Sequence, residues 1–252
     1  RPGGEGATLA ALCVLAAALF VAPLALLFAQ ASPDQVAAAL DSRAVRRALW
    51  NSLDSAAWSA VLATVIGTAL ALAVALTDIR AKGPATFLIL LPMMIPPHVT
   101  AIAWTQLLGP ASPVLGPLGL APPPGTSSPL YSRAGVIGLL ALQHAPLVFL
   151  VMLAALRALP REGVEAARVA GAGAVRTLVR VILPMVGPAL VAGAALAFVS
   201  ALGNFGIPAL LGVPARYTTL PVLIWQRLAA FGPGMLPGVA VLSAVMATVA
   251  LA

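Results

Sequence analysis

The chain has 252 residues, of which 61% are hydrophobic and 8% charged, and it carries a formal net charge of +7. This composition excludes a soluble globular fold and nucleic-acid binding, because several apolar runs approach the ~20 residues that span a bilayer and the arginines lie between those runs without interleaved aromatic residues. Cys13 is the single cysteine, which excludes an internal disulfide and a cysteine-based metal site.

The first predicted element is an apolar run at residues 8–28, which we expect to span the membrane once with its start in the cytoplasm. Ala29-Gln30-Ala31 also fits a signal-peptide cleavage site, but the run exceeds the ~7–15 residues of a signal, which favours an uncleaved span. Residues 32–50 are polar and predict a short external surface helix. Residues 1–50 are therefore predicted to form a first transmembrane helix and an external linker.

The second and third spans are predicted at residues 56–76 and 84–108, joined by a cytoplasmic turn at residues 78–83. Gly67 and many alanines in the second span predict close helix packing, since small residues let helices approach in lipid. Three prolines bend the third span, and the backbone carbonyls that they free must find partners or line a cavity. His98 follows these prolines and is a candidate pathway residue, or a histidine satisfied by neighbouring backbone.

An external loop of irregular structure is predicted at residues 109–132, which are rich in Pro, Gly and Ser. The fourth span follows at residues 134–156, with Gln143 and His144 near its middle and Pro146 just after them. A polar pair at that depth is a candidate for the translocation route, and hydrogen bonding between helices explains it equally well.

Residues 159–188 are the least lipid-compatible segment of the chain. Residues 161–169 predict a first helix, Gly171 and Gly173 a turn, and residues 174–182 a second helical run that places Arg176 and Arg180 one turn apart. Pro184 suits the first turn of the next helix. Such a segment fits contact with a partner protein, and it fits equally an ordinary basic loop whose arginines only orient the protein in the membrane by the positive-inside rule.

The fifth span is predicted at residues 185–202 and the sixth from about Pro237. Between them residues 203–214 are apolar but broken by Gly and Pro, and such backbone is tolerated at membrane depth only when it is buried in protein or faces a cavity. Asn204 and Phe205 are therefore further pathway candidates.

The spacing Glu165-Ala166-Ala167, Gly171, Val181-Ile182-Leu183-Pro184 resembles the E-A-A, G, I-x-L-P loop of the permease subunits of binding-protein-dependent ABC importers. The resemblance covers residues 51–251 and implies an all-α membrane protein: about six transmembrane helices in a MetI-like bundle, with a cytoplasmic coupling-helix loop. Residues 51–252 would form the permease domain, truncated in its last helix. The coupling residues that it implies are Glu165, Ala166, Ala167, Arg168, Gly171, Val181, Leu183 and Pro184. Because the resemblance implies that residues 159–188 contact the ATPase, we call them the docking loop.

The resemblance also implies partners, which are two copies of an ABC ATPase, a periplasmic solute-binding protein and a second permease module, fused or homodimeric, in the bacterial inner membrane. Residues 203–227 resemble iron(III)-type permeases, in which two modules are usually fused, so the chain would be a first half that carries ferric iron. Thiamine, a polyamine or an oxyanion are alternative substrates. No cofactor, metal site or catalytic residue is implied.

Two other classes remain as alternatives. An ion-coupled secondary transporter or channel would work without ATP, but the predicted spans hold almost no Asp or Glu for coupling ions. An intramembrane enzyme using His98 and His144 would need a third ligand or nucleophile, which the sequence does not offer convincingly. The chain has no G-x-x-x-x-G-K-[ST] phosphate cradle, so ATP hydrolysis by that route must come from a partner.

Overall fold

The computed structural model describes residues 3–29, 32–77, 80–230 and 235–251. The regular secondary structure of these residues is helical, which confirms the predicted all-α class. The α-helices are α1 (Gly3–Ala16), α2 (Ala22–Ala29), α3 (Pro33–Asp41), α4 (Arg43–Leu76), α5 (Lys82–Met94), α6 (Pro97–Leu107), α7 (Arg133–Arg157), α8 (Arg161–Val169), α9 (Ala174–Thr177), α10 (Leu183–Met185), α11 (Gly187–Leu202), α12 (Leu220–Ala229) and α13 (Met235–Leu251). Wider π-helical turns lie at Ala17–Val21, Leu178–Ile182 and Pro208–Gly212.

The chain divides into two compact units, and the first contains Arg1–Leu49 and Leu220–Ala252. In this unit α13 packs against α2, α3 and α12. Its buried core consists of Val45, Ala48, Leu220, Leu242 and Val245. Large apolar side chains on α1 and the turn after it remain more than half exposed, which suits a lipid-facing surface.

The second unit, Trp50–Thr219, is built around α7, on which Phe149 and Met152 are fully buried. A Cβ atom at Gly67 of α4 would lie only 2.6 Å from the Ala145 carbonyl oxygen, so the backbones of α4 and α7 nearly touch. A Cβ atom at Gly193 of α11 would lie 3.3 Å from Val148 of α7. These contacts confirm that small residues bring the helices together, as expected where lipid provides no hydrophobic drive for association.

Among the described residues, α4 and α7 are each long and apolar enough to cross a membrane unbroken. Two more spans are possible if bent pairs are counted, namely α5 with α6, bent by 102°, and Ala174–Met185 with α11, bent by 66°. The first predicted span is divided by the π-helical turn Ala17–Val21, and the last predicted span is a helix of 17 residues. Among the described residues, prolines and π-helical turns therefore interrupt or bend several of the apolar runs, and α4 and α7 are the spans that remain unbroken.

The prediction of a separate surface helix over residues 32–50 was wrong. Helix α3 ends at Asp41, and the arginines assigned to the external linker lie on α4, which continues without a break to Leu76. Residues 43–50 contain no Gly or Pro, and their Ala, Arg and Leu residues are good helix formers. Residues 43–50 of the predicted linker are therefore the first turns of α4, the 34-residue helix that also contains the second predicted span.

The predicted third span, residues 84–108, is bent at its prolines as expected, but the bend of 102° divides it into two separate helices, α5 and α6. Helix α5 begins at Lys82, before Pro84, which is compatible with a first helical turn. Asp78 and Ile79 of the predicted cytoplasmic turn lie outside the described residues, as do Gln30 and Ala31 of the possible cleavage site.

Candidate functional site

The docking loop begins with α8, whose bounds agree with the predicted helix at residues 161–169. Val164 packs against the core of the second unit, so this side of α8 is anchored to the spans. Glu165, Ala166 and Arg168 are exposed, and Ala167 is half-buried. An acidic side chain next to two small ones on an exposed helical face allows another protein's backbone to approach closely.

Gly171 ends α8 in a Schellman motif. Its N–H donates to the Arg168 carbonyl at 3.0 Å, and the Ala172 N–H donates to the Ala167 carbonyl at 2.9 Å. Gly171 has a φ of 79°, the left-handed conformation that favours glycine at the residue after a helix C-cap. The spacing between the two alanines and the glycine is therefore explained by where the helix stops.

The second predicted helical run, residues 174–182, forms α9 followed by the π-helical turn Leu178–Ile182. Thr177 is buried, and its hydroxyl donates to the Gly173 carbonyl at 3.2 Å. Val181 and Leu183 are half-buried, whereas Pro184 is exposed and lies in the first turn of α10, as predicted. The docking loop thus consists of two short helical segments joined at a bend, and each segment packs side chains against the core of the second unit.

The outer surface of the docking loop combines exposed apolar and basic side chains. Val169 is 89% exposed and Val175 is 75% exposed, although both are apolar. Arg176 and Arg180 are exposed on the same segment. Apolar side chains gathered on a surface and flanked by charged ones are typical of a protein interaction site.

Gln143 bridges α7 to the corner between α5 and α6. Its Nε2 donates to the Pro92 carbonyl at 2.8 Å and to the Ile95 carbonyl at 3.1 Å. Pro96 and Pro97 have no backbone N–H, so neither can donate to the carbonyls at the end of α5. The Gln143 amide takes over that role, which agrees with hydrogen bonding between helices, the alternative that the sequence left open.

A cavity of about 350 Å³ lies at this corner and is lined by Met93, Pro96, Gln143, His144 and Ser200, among others. Gln143 Oε1 is buried and has no hydrogen-bond partner among the described residues. His144 Nδ1 lies 2.7 Å from the Leu140 carbonyl of its own helix, which makes Nδ1 the protonated nitrogen because a carbonyl only accepts. The structure therefore brings two of the predicted pathway residues, Gln143 and His144, to one cavity.

The other three pathway candidates lie elsewhere. His98 is exposed in the first turn of α6, where a Cβ at Gly206 would lie 2.8 Å from the His98 backbone nitrogen. The Asn204 Oδ1 accepts from the Ile207 N–H at 3.2 Å and so organises the entry to the turn Pro208–Gly212. Phe205 is 39% exposed. Within the described ranges no group of three or more His, Cys, Asp or Glu side chains is placed to hold a metal ion.

Asp54 of α4, Arg133 at the start of α7 and Tyr217 form a polar clasp on the side of the second unit remote from the docking loop. Arg133 donates to both carboxylate oxygens of Asp54, at 2.6 and 2.7 Å, and the Tyr217 hydroxyl lies 2.6 Å from Asp54 Oδ2. The bond from Arg133 lowers the pKa of Asp54, with Tyr217 adding to the effect and burial opposing it. Burial and the bond to Asp54 raise the pKa of Tyr217.

The sequence did not reveal this clasp, because its residues lie 79 to 163 positions apart. The sequence showed only that Asp54 precedes the predicted span at residues 56–76 and that Arg133 precedes the one at residues 134–156. Asn51 extends the clasp by donating to the Thr218 carbonyl at 2.9 Å. The loop before α12 is thereby fixed to α4 and, through Asp54, to Arg133 at the start of α7.

Comparisons with known proteins agree with this geometry. Residues 63–252 match the family model described as binding-protein-dependent transport system inner membrane component. The chain is 35% identical over 204 residues to the probable molybdenum ABC transporter permease protein of Haloferax volcanii, an alignment that covers 80% of this chain and 71% of the relative. It is 28% identical over 187 residues to the molybdenum transport system permease protein of Azotobacter vinelandii, covering 71% of this chain and 79% of that protein.

Among solved structures, the chain resembles one in the crystal structure of a bacterial alginate ABC transporter in complex with an alginate pentasaccharide-bound periplasmic protein. The TM-score is 0.74 at 22% sequence identity, and the superposition covers 98% of this chain and 90% of that one. This similarity confirms the predicted helix-bundle fold.

Proposed function

We propose that this chain, which belongs to the family of binding-protein-dependent transport system inner membrane components, carries an oxyanion of the molybdate type into the cell. It is an ABC importer permease and an integral membrane protein. ABC permeases are not enzymes, so ATP is hydrolysed by a partner. We expect a multi-pass arrangement in the inner membrane with α8 on the cytoplasmic side.

The observation that carries the substrate proposal is the 35% identity to a probable molybdenum permease over four fifths of the chain. Molybdenum is present in neutral water as a tetrahedral dianion, which falls within the oxyanion alternative considered from the sequence. Ferric iron was the preferred substrate on the resemblance of residues 203–227 alone. The relatives reported above do not support it, and the oxyanion takes its place.

The docking loop supports the proposed coupling to an ATPase. Its exposed face carries Glu165 and Ala166, and Gly171 ends the helix so that a short, well-defined segment projects from the spans. We propose that Glu165, Ala166, Ala167 and Gly171 insert into the ATPase, and that approach of two ATPase subunits tilts the spans. A periplasmic binding protein would deliver the solute to this chain and a second permease module.

Uptake by the reconstituted transporter tests the substrate. Vesicles containing the permease, its ATPase and its binding protein should accumulate molybdate when ATP is inside, with sulfate as a competing oxyanion. Ferric iron supplied in the same way should not be accumulated. Uptake of iron but not of molybdate would refute the oxyanion proposal.

The coupling proposal is tested by Glu165→Ala, with Glu162→Ala as the matched control. Glu162 is another exposed acid on α8 but lies outside the E-A-A motif. We expect Glu165→Ala to abolish uptake while ATP hydrolysis becomes uncoupled, and Glu162→Ala to leave both unchanged. Uptake that continues without ATP in either variant would instead indicate an ion-coupled carrier.

A further inference from the structure

A second and larger cavity, of about 710 Å³, lies behind the docking loop in the second unit. It is bounded by the ends of α4 and α7, the start of α5 and the inner sides of α8 and α9. Its volume is within the ~300–1,000 Å³ of small-ligand sites. It shares Glu165 and Arg168 with the exposed face of α8, but Ala166 does not line it.

Part of the cavity wall is apolar, including Val74, Leu156, Leu159, Leu178 and Ile182. All five of these side chains belong to, or pack against, the core between the spans, so the wall is a continuation of that core. An apolar wall of this kind is suited to a hydrocarbon chain and unsuited to a small hydrated anion alone.

Three cations, Lys82, Arg157 and Arg168, line the same cavity, together with one carboxylate, Glu165. In the part of the chain that the structure describes, no carboxylate lies within 4.0 Å of any of these three cations, since the ion pairs found there join Asp41 to Arg46 and Asp54 to Arg133. The cavity therefore has an excess of positive charge that its own described residues do not neutralise.

The positions of the cations match the level of lipid headgroups. Lys82 is the first residue of α5 and Arg157 is the last residue of α7. Long basic side chains at the ends of membrane helices extend toward the interface and attract anionic headgroups. Arg168 approaches from α8, so a phosphate held here would contact both the spans and the docking loop.

We propose that this cavity binds the phosphate of an acidic phospholipid, with an acyl chain against the apolar wall. The assignment to the cytoplasmic leaflet rests on the proposed function. The bound lipid would link Arg168 of α8 to Lys82 and Arg157. Acidic lipid would thereby fix the angle at which the docking loop meets the ATPase.

Lipid retention, measured by native mass spectrometry, tests this proposal. The full-length permease would be purified from nanodiscs containing equal amounts of phosphatidylglycerol and phosphatidylcholine. We expect the unaltered protein to retain phosphatidylglycerol preferentially. The double variant Lys82→Gln, Arg157→Gln should bind it roughly 30-fold more weakly, the loss expected for two cations near an anionic headgroup.

The matched control is Arg176→Gln, Arg180→Gln, which removes the same charge from the docking loop outside the cavity and should leave retention unchanged. Lys82→Arg keeps the charge and tests whether position 82 tolerates substitution, so it should retain the lipid. Equal retention by the unaltered protein and Lys82→Gln, Arg157→Gln, or equal loss in both double variants, would overturn the proposal.

Two further measurements test whether the cavity binds a free anion or the ATPase instead of a lipid. Displacement of the lipid by millimolar inorganic phosphate would show a site for a free anion, and displacement on adding the ATPase would show that the partner fills the cavity. Either result overturns the lipid proposal. Retention is measured without transport, so a permease that retains lipid but shows no ATP-driven uptake would contradict the proposed function only.

Discussion

Gln143→Met removes the amide that supports the corner between α5 and α6 while keeping a side chain of similar length. Two hydrogen bonds are lost, to the Pro92 and Ile95 carbonyls. Pro92 keeps a long bond of 3.4 Å from the Ile95 N–H, so the Ile95 carbonyl is the group that loses most. An unpaired buried carbonyl costs about 1–3 kcal/mol, and each lost bond about 1 kcal/mol.

A second effect of Gln143→Met is stabilising and opposes the loss of the two hydrogen bonds. Gln143 Oε1 is buried without a partner among the described residues, and the substitution removes it. Relief of that penalty offsets part of the loss, so we expect a net destabilisation of about 1–3 kcal/mol. Gln143→Glu should cost more, because a carboxylate places acceptors opposite two carbonyl oxygens.

Reversible unfolding of the purified permease in mixed micelles measures these values. The matched control is Gln106→Met on α6, which makes the same chemical change at an exposed position and should alter the free energy of unfolding by less than about 0.5 kcal/mol. If Gln143→Met and Gln106→Met were equally stable, the Gln143 amide would not support the corner.

Three other predictions follow from the geometry. Gly171→Ala forces a left-handed backbone on a residue with a Cβ, at a cost of about 1–2 kcal/mol, and should weaken ATPase binding roughly 5- to 30-fold in a pull-down titration. Gly67→Ala should destabilise the permease by about 1–3 kcal/mol in the same unfolding assay, whereas Gly138→Ala, with no atom within 4 Å of the new Cβ, should stabilise it by about 0.5–1 kcal/mol, the usual gain of Ala over Gly inside a helix. Because Arg133 lowers the pKa of Asp54, the contribution of this pair is present above the ordinary pKa of about 3.9 and is lost as the pH falls through the lower folded-state value. Stability should therefore fall below about pH 4 in the unaltered protein and less steeply in Asp54→Asn.

Each of these predictions has a result that contradicts it. Unchanged ATPase binding by Gly171→Ala would mean that the Schellman turn is not needed for docking. Equal effects of Gly67→Ala and Gly138→Ala would argue against close contact between α4 and α7. A pH profile of Asp54→Asn that is identical to that of the unaltered protein would show that the clasp does not contribute to stability.

The docking loop was the part that local sequence signals predicted best. The bounds of α8 agree with the structure because good helix formers occupy it and Gly171 ends it within the next two residues. Pro184 likewise lies in the first turn of a helix, as its fixed φ favours. Such features depend on residues a few positions apart, and the sequence shows those directly.

Contacts between distant segments were not predictable in the same way. The sequence showed a polar pair in the fourth span, but nothing in it paired Gln143 with Pro92, 51 residues earlier. The prolines in the third span predicted a bend, but the sequence did not show that the angle between α5 and α6 would be 102°. The continuation of α4 through residues 43–50 was missed because polar composition was interpreted as a linker, although no residue there stops a helix.

The corner also constrains how this family can diverge. As long as position 96 is proline, the carbonyl of residue 92 has only the long 3.4 Å bond from the Ile95 N–H within its own segment, and the donor at position 143 serves this carbonyl as well as that of residue 95. A homologue with a non-proline residue at the position of Pro96 regains a backbone donor for the carbonyl of residue 92, so its counterpart of Gln143 has one carbonyl fewer to serve and is under weaker selection. The two sites should therefore covary across homologous permeases, although they are 47 positions apart in the chain.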